Sequence, residues 1–275
     1  MSAAVPPARS ADLSPTRRLA RFYGLVRSFV VKDVRTRYVG SLIGFFWTVI
    51  QPLLELLTYT FVFTVILRVR FSDRYSVATN ALFLFAGMVP WFMVSESLTR
   101  CTVLVRENAH LVKKVRFPAE VLPTSIVLAE SFNQLVRLAL LLVAAVIIGQ
   151  GVSWHVLLIA PVLGLQILFV LGLGQLLATT QVYFKDTQHL LAPALMIWLF
   201  ITPIFYPASL FPERFAPLLL FNPLSHLVGI YRELLLNHRP PHPGSLIVFG
   251  TFAVVAFWLG RVTFRRHARE FPDLV

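Results

Sequence analysis

Residues 152–184 read VSWHVLLIAPVLGLQILFVLGLGQLLATTQVYF, thirty-three positions without Asp, Glu, Lys or Arg. About 20 mostly apolar residues let a helix cross the hydrocarbon of a bilayer. This run is longer and more apolar than the interior helix of a soluble domain needs, and it places the chain in a membrane.

The pattern recurs on both sides of that stretch. Ser41–Leu67 is interrupted only by Glu55, Val77–Val94 carries no charge, and Thr124–Ile148 contains Glu130 and Arg137. Downstream lie Leu190–Phe211 and a short sixth run, Ser245–Gly260. The composition agrees: 57% of the 275 residues are hydrophobic and 14% charged, against about 25% charged in soluble domains. The expected fold is an all-α integral membrane protein of six transmembrane helices. Residues 1–18, rich in Ala, Ser and Pro, read as a disordered cytoplasmic tail retained in the mature protein, because no apolar run follows closely enough to be a signal peptide. Residues 19–38 read as an amphipathic helix, 39–262 as the membrane domain and 263–275 as a second cytoplasmic tail.

The net charge of +12 in a soluble protein would point to nucleic acid. Here Lys and Arg sit between the apolar runs, and no arginine-rich segment interleaves with stacking aromatics. Their bias orients the chain instead. Eighteen fall on the side of the two termini and six on the other, so both ends are expected in the cytoplasm. Arg68, Arg70 and Arg74 in the first external loop run against that bias. The single cysteine, Cys101, excludes an intrachain disulfide.

Two segments are neither span nor loop. In Leu19–Tyr38, Phe22, Leu25, Val26, Phe29, Val30 and Val34 share one helical face, with Arg21, Ser28, Lys32 and Arg35 opposite. This fits a helix lying flat in the membrane interface, or equally a surface helix leading into a span. Asp33 and Arg37 interrupt the apolar face four residues apart, where they can pair. In Phe211–Pro243, Asn222-Pro223 is a helix start with Asn as N-cap. Pro240-Pro241 ends that helix after a length too short, and with Arg232 and Glu233 too charged, to span. A re-entrant or surface helix on the external side fits, and such backbone is stable at membrane depth only inside protein or against water.

Catalytic signatures are missing. None of the four lysines follows a glycine, so there is no phosphate-cradling loop. The five aspartates are scattered, His238 and His242 are separated by two prolines, and no nucleophile motif occurs. What remains is polarity inside the spans. Glu130, Asn133, Gln134 and Arg137 fall on one helical face, and Thr48, Gln51, Glu55 and Thr58 form a second stripe. Such residues line a polar path or bind helices to one another. Aromatics beside them, including Trp47, Tyr59, Trp198, Phe205 and Tyr206, are lipid-compatible bulk or a wall on which sugar rings stack.

Four stretches carry a resemblance. The first is Lys32-Asp33-Val34-Arg35-Thr36-Arg37-Tyr38 with Gly40-Ser41-Leu42-Ile43-Gly44, Trp47 and Gln51-Pro52-Leu53. The second runs from Leu111 to Pro118, with Glu120 and Leu122-Pro123. The third is Tyr183-Phe184-Lys185-Asp186 followed by Thr202-Pro203-Ile204-Phe205-Tyr206-Pro207. The fourth is Asn222-Pro223-Leu224 with Tyr231-Arg232. In order and spacing they resemble the permease subunit of polysaccharide-exporting ABC transporters, the O-antigen, capsule and teichoic-acid group of the type 2 ABC exporters. Lys32 stands where that family usually has Arg, and Ile43 where it has Leu.

The resemblance implies a homodimeric permease in the bacterial inner membrane, with two nucleotide-binding ATPase subunits beneath it that hold ATP and Mg. It implies export of a lipid-linked polysaccharide such as an O-antigen. Arg106, Glu107, Asn108, His110, Lys113 and Lys114 would form the coupling segment, and Asp33, Arg37 and Tyr38 the interface helix. Trp47, Gln51, Glu55, Tyr59, Glu130, Asn133, Gln134, Arg137, Trp198, Phe205 and Tyr206 would line the channel. Asn222, Pro223, Tyr231 and Arg232 would belong to the external gate. The rival readings are a membrane-embedded glycosyl or lipid transferase, an ion-coupled carrier using Glu130 and Arg137, and a drug exporter of the same superfamily.

Overall fold

The computed structural model describes residues 15–36, 44–66, 76–114 and 117–275. Residues 1–14, Arg37, Tyr38, the start of the first span, the loop with Arg68, Arg70 and Arg74, and Arg116 lie outside them, as does the Lys114 side chain. Among the described residues every regular element is helical. The α-helices are α1 (Pro15–Thr36), α2 (Trp47–Thr60), α3 (Val77–Glu107), α4 (Ala109–Lys114), α5 (Val121–Ile147), α6 (Ile159–Tyr183), α7 (Thr187–Ile201), α8 (Ala216–Leu220), α9 (Pro223–Leu235), α10 (Pro243–His267) and α11 (Phe271–Leu274).

The periodicity of α1 is realised in its packing. Val26 is buried and Phe22, Leu25, Phe29, Val30 and Val34 are half-buried, while Arg21, Ser28, Lys32 and Arg35 are exposed. The helix lies along α5, and the Phe29 ring meets Phe117 with centroids 5.5 Å apart.

Among the described residues, five helical segments are long and apolar enough to cross a membrane: Trp47–Ile66, Val77–Glu107, Val121–Ile147, Trp154–Tyr183 and Pro243–His267. One of these segments and one shorter helix differ from the sequence expectation in an informative way. The second continues unbroken from Val94 to Glu107, so that Arg100 and Arg106 ride on the spanning helix. No Gly or Pro interrupts it after Pro90, and Glu96 and Arg100 find partners on neighbouring helices. The expected fifth span, Leu190–Phe211, is a 15-residue helix, α7. At 1.5 Å per residue it reaches about 22 Å, short of the roughly 30 Å hydrocarbon layer. Pro203 holds Thr202 in extended backbone (φ −78°, ψ 133°), and the residue before a proline resists the helical region. Turns and two short 3₁₀ segments follow instead.

Helix α3 is the axis of the molecule. Twenty of its 31 residues are buried, which suits a helix apolar on all sides. It packs on α2, α5, α6, α7 and α9. The closest crossing is α6 on α10. A Cβ on Gly172 would stand 2.3 Å from the Ala256 carbonyl, and one on Gly260 would stand 2.1 Å from the Gly172 oxygen. Ala256 and Gly260, four residues apart, thus let backbone touch backbone. In lipid this close packing is what holds helices together. By contrast α2 touches its neighbours along one edge. Thr48 and Pro52 are buried, and Leu53, Leu54, Leu57 and Phe61 are exposed.

Candidate functional site

The polar residues of the spans are brought together in three layers. In the first, α3 and α5 run antiparallel and their charges match across the seam. Arg137 on α5 donates to Glu96 on α3 at 2.5 Å, with its guanidinium 4.7 Å from the centre of the Phe92 ring. Two turns along α5, Glu130 accepts from Arg100 on α3 at 2.7 Å, and Asn133 donates to its other oxygen at 2.8 Å. The second arm of Arg100 donates to Asp33 on α1. Arg100 thereby fastens α1 to α3 and α5. Glu130 is fully enclosed, and a carboxylate there demands a cation because an unpaired buried charge is costly.

The second layer is neutral. The Gln134 amide donates to Gln166 at 3.0 Å and to the Tyr231 hydroxyl at 2.5 Å. Tyr231 donates to Gln166 at 2.9 Å, and Gln166 donates to the Pro90 carbonyl at 3.0 Å. Four helices, α3, α5, α6 and α9, meet at these three side chains.

The third layer closes the break after α7. Arg232 on α9 donates to the carbonyls of Pro203 and Ile204, each at 2.6 Å, and lies 3.5 Å from the centre of the Phe83 ring. The helix that would have used those carbonyls has ended, and Arg232 replaces the missing backbone donors. Gly87 leaves it room: a Cβ there would come within 2.9 Å of the guanidinium. Beside it, Trp198 donates to Asn222 at 2.9 Å and Asn222 donates to Thr202 at 3.0 Å. Asn222 also caps α9 by accepting from the Leu224 amide at 3.1 Å, with Pro223 in the first turn. Phe205 wedges this turn against α2, stacked on Phe63 at 4.7 Å and tilted to Tyr59 at 5.1 Å. The Tyr206 hydroxyl donates to the Phe200 carbonyl at 2.8 Å.

The structure therefore divides the residues singled out from sequence. Glu130, Asn133, Gln134 and Arg137 are enclosed within the subunit, as are Phe205, Tyr231 and Arg232; Glu130, Gln134 and Arg137 are bound to other helices, and Asn133 to Glu130. Trp47 and Gln51 lie on the exposed flank of α2, with Glu55 and Tyr59 half-buried beside them; Gln51 donates to Glu55 at 3.2 Å. Arg106, Glu107, His110 and Lys113 are exposed around the turn from α3 into α4, where the Asn108 side chain donates to the Leu104 carbonyl at 2.9 Å. His238 meets the Gln150 carbonyl at 3.0 Å and His242 caps α10, so each has a local structural use. Sequence reasoning missed Glu96, Arg100 and Gln166. The signal was present for the first two, opposite charges one helical turn apart, and for Gln166 in its position inside the longest uncharged run.

Known proteins bear on this arrangement. The profile of the ABC-2 type transporters matches residues 25–236. The chain belongs to that family. The match runs from α1 past the end of α9, so it takes in all three polar layers. Over 261 residues the chain is 34% identical to an O-antigen export system permease protein, RfbA, of Myxococcus xanthus, covering 94% of this chain and 98% of the relative. It is 30% identical over 261 residues to the protein of the same name from Klebsiella pneumoniae, covering 94% and 97%. The polysialic acid transport protein KpsM of Escherichia coli is 23% identical over 245 residues, covering 87% and 92%. This ABC-2 type transporter chain is accordingly a multi-pass membrane protein.

Proposed function

We propose that this chain is the permease of an ATP-driven exporter that carries a lipid-linked polysaccharide, of the O-antigen kind, out across the bacterial cytoplasmic membrane. The observation that carries the reading is the 34% identity to an O-antigen export permease, spread over nearly the whole of both chains. In this reading two copies assemble with two ATPase subunits, which bind ATP and Mg, and both termini face the cytoplasm. Helix α7 is the short fifth of six crossings, and α8 and α9 dip back from the external side to complete its reach and form a gate. Helix α1 lies at the cytoplasmic interface. The glycan passes between the two copies, along the exposed flank of α2 with Trp47, Gln51, Glu55 and Tyr59. It does not pass through the single subunit, where the α5 stripe is occupied by its own partners. The α3–α4 turn, presenting Arg106, Glu107, His110 and Lys113, seats in the ATPase.

The test is to purify the chain with its candidate ATPase and reconstitute both in liposomes with the lipid-linked glycan. Co-purification, with hydrolysis and export that both require this chain, supports the reading. Hydrolysis indifferent to the chain would overturn it. Within that system Lys113→Glu is expected to leave the protein inserted while hydrolysis no longer drives export.

A further inference from the structure

Helix α4 has six residues, far fewer than the 12–15 or so that an isolated helix needs to be even marginally stable in water. Something else must hold it, and the structure provides it from the far end of the chain. After α10 the backbone turns at Ala268 and returns as α11. Phe271 is fully buried there among Val105 of α3, Ala178 and Val182 of α6, and Phe264 of α10. Val112 of α4, Ala119, Ala268 and Val275 pack against the same cluster. The Phe264 and Phe271 rings meet edge to face at 5.2 Å. Polar contacts surround the cluster. Tyr183, at the end of α6, donates to Glu270, and Glu120, just beyond α4, accepts from Arg265 at 2.5 Å and lies 3.7 Å from Arg261. Expected from sequence as a tail, residues 268–275 are instead packed under α4. They also lie outside the part of the chain that matches the family, which ends at residue 236.

We propose that Ala268–Val275 is a brace that sets the position of α4, with Phe271 as its positioning residue, and that the efficiency with which ATP hydrolysis drives export depends on it. The inference rests on the reading of α4 as the ATPase contact. Helix α4 presents Val112 inward and His110 and Lys113 outward. Without the Phe271 ring beneath it, the outward side chains lose their fixed height above the bundle. The spanning helices that share this cluster are also held along the rest of α3 and across Gly172 and Gly260, whereas α4 has only six residues, so the loss falls on α4 before it falls on the membrane domain.

The experiment uses the full chain with its ATPase partner in liposomes, and reads glycan exported per ATP hydrolysed at measured abundance of both subunits. Phe271→Ala is expected to retain both subunits in the complex while export per ATP falls about fivefold to tenfold, in keeping with the cost of small misplacements between working parts. Phe271→Leu is expected to restore most of it. A wild-type ratio for Phe271→Ala overturns the brace. If that variant does not accumulate, Phe271→Val decides, and a wild-type ratio there overturns the brace equally. Lys113→Glu separates this inference from its parent. If Lys113→Glu keeps full coupling, the role of α4 itself fails. If it uncouples while the Phe271 variants do not, the brace alone fails.

Discussion

Arg100 holds two carboxylates at once, and they are not equivalent. Asp33 is partly exposed, whereas Glu130 is sealed among α3, α5 and the neighbouring side chains. Removing the cation should therefore cost more than removing the outer acid. Arg100→Ala leaves Glu130 enclosed without its Arg100 contact and is expected to destabilise the protein by about 3–5 kcal/mol. Asp33→Asn, which leaves the Glu130 contact standing, should cost about 1 kcal/mol. Arg100→Met combined with Glu130→Leu should recover most of the loss, because paired apolar replacements of a buried ion pair are often near neutral. Thermal unfolding of the detergent-solubilised variants orders them; equal losses for Arg100→Ala and the double variant would contradict the pairing. At this scale the sequence was half legible. Glu130, Asn133, Gln134 and Arg137 announce a shared face by their spacing alone. Their partners do not announce themselves, since Glu96, Gln166 and Tyr231 become neighbours only when it is known which helices adjoin, and one sequence does not carry that.

Among the elements, the contrast between two glycines of α6 shows what fixes the bundle. Gly172 faces the backbone of α10, and neither helix can yield at Ala256 and Gly260. Gly164, on the same helix, has nothing within 4 Å of the position of a Cβ. Gly172→Val is expected to cost about 3 kcal/mol or more through overpacking. Gly164→Ala should be neutral or stabilising, since Ala is favoured over Gly in a helix by about 1 kcal/mol. Unfolding temperatures of the two variants check this, and similar losses would show that the close crossing is not what matters. A second element-level prediction concerns the end of α7. Arg232→Met strands the Pro203 and Ile204 carbonyls, each worth about 1–3 kcal/mol when buried without a donor. Loss of stability together with faster proteolysis between residues 201 and 215 is the expected result. The existence of the helices was readable from apolar run length, and for α5 the bounds as well, to within three residues; α10 runs on to His267, past the charged residues that ended its apolar run. The end of α7 was misplaced because a run read by its lack of charge passes over Pro203 and Pro207, which end a helix without adding a charge. The end of α3 was misplaced for the opposite reason: Glu96 and Arg100 lower hydropathy, yet they stay within the bundle because each has a partner.

On the scale of the whole molecule, the packing sorts the connections into two ends before any membrane is considered. One end gathers α4, the α6–α7 turn and α11, joined by Val112, Phe271 and the contact of Tyr183 with Glu270. The other gathers the turn after α5 and the segment after α9, joined where His238 meets the Gln150 carbonyl. Helix α7 starts at the first end and stops where Arg232, bound beside Phe83 and Gly87, marks a depth about 9–15 Å in from the start of α3. That depth is why a 15-residue helix suffices and why α9 has to be buried. Among the described residues that follow α2, cations are unevenly divided between the ends: Arg106, Lys113, Lys185, Arg261, Arg265, Arg266 and Arg269 lie towards the first, Arg214 and Arg239 towards the second. The first end is therefore expected in the cytoplasm. Native Cys101 is buried, so single cysteines at surface positions report cleanly. His110→Cys, Asp186→Cys and Arg269→Cys should react with a membrane-impermeant maleimide only in inside-out vesicles, and Gln150→Cys and Arg239→Cys only in intact spheroplasts. Reaction of Asp186→Cys from the same side as Gln150→Cys would mean that α6 does not cross between them. The antiparallel packing of α6 against α5 could not then be the arrangement in the membrane.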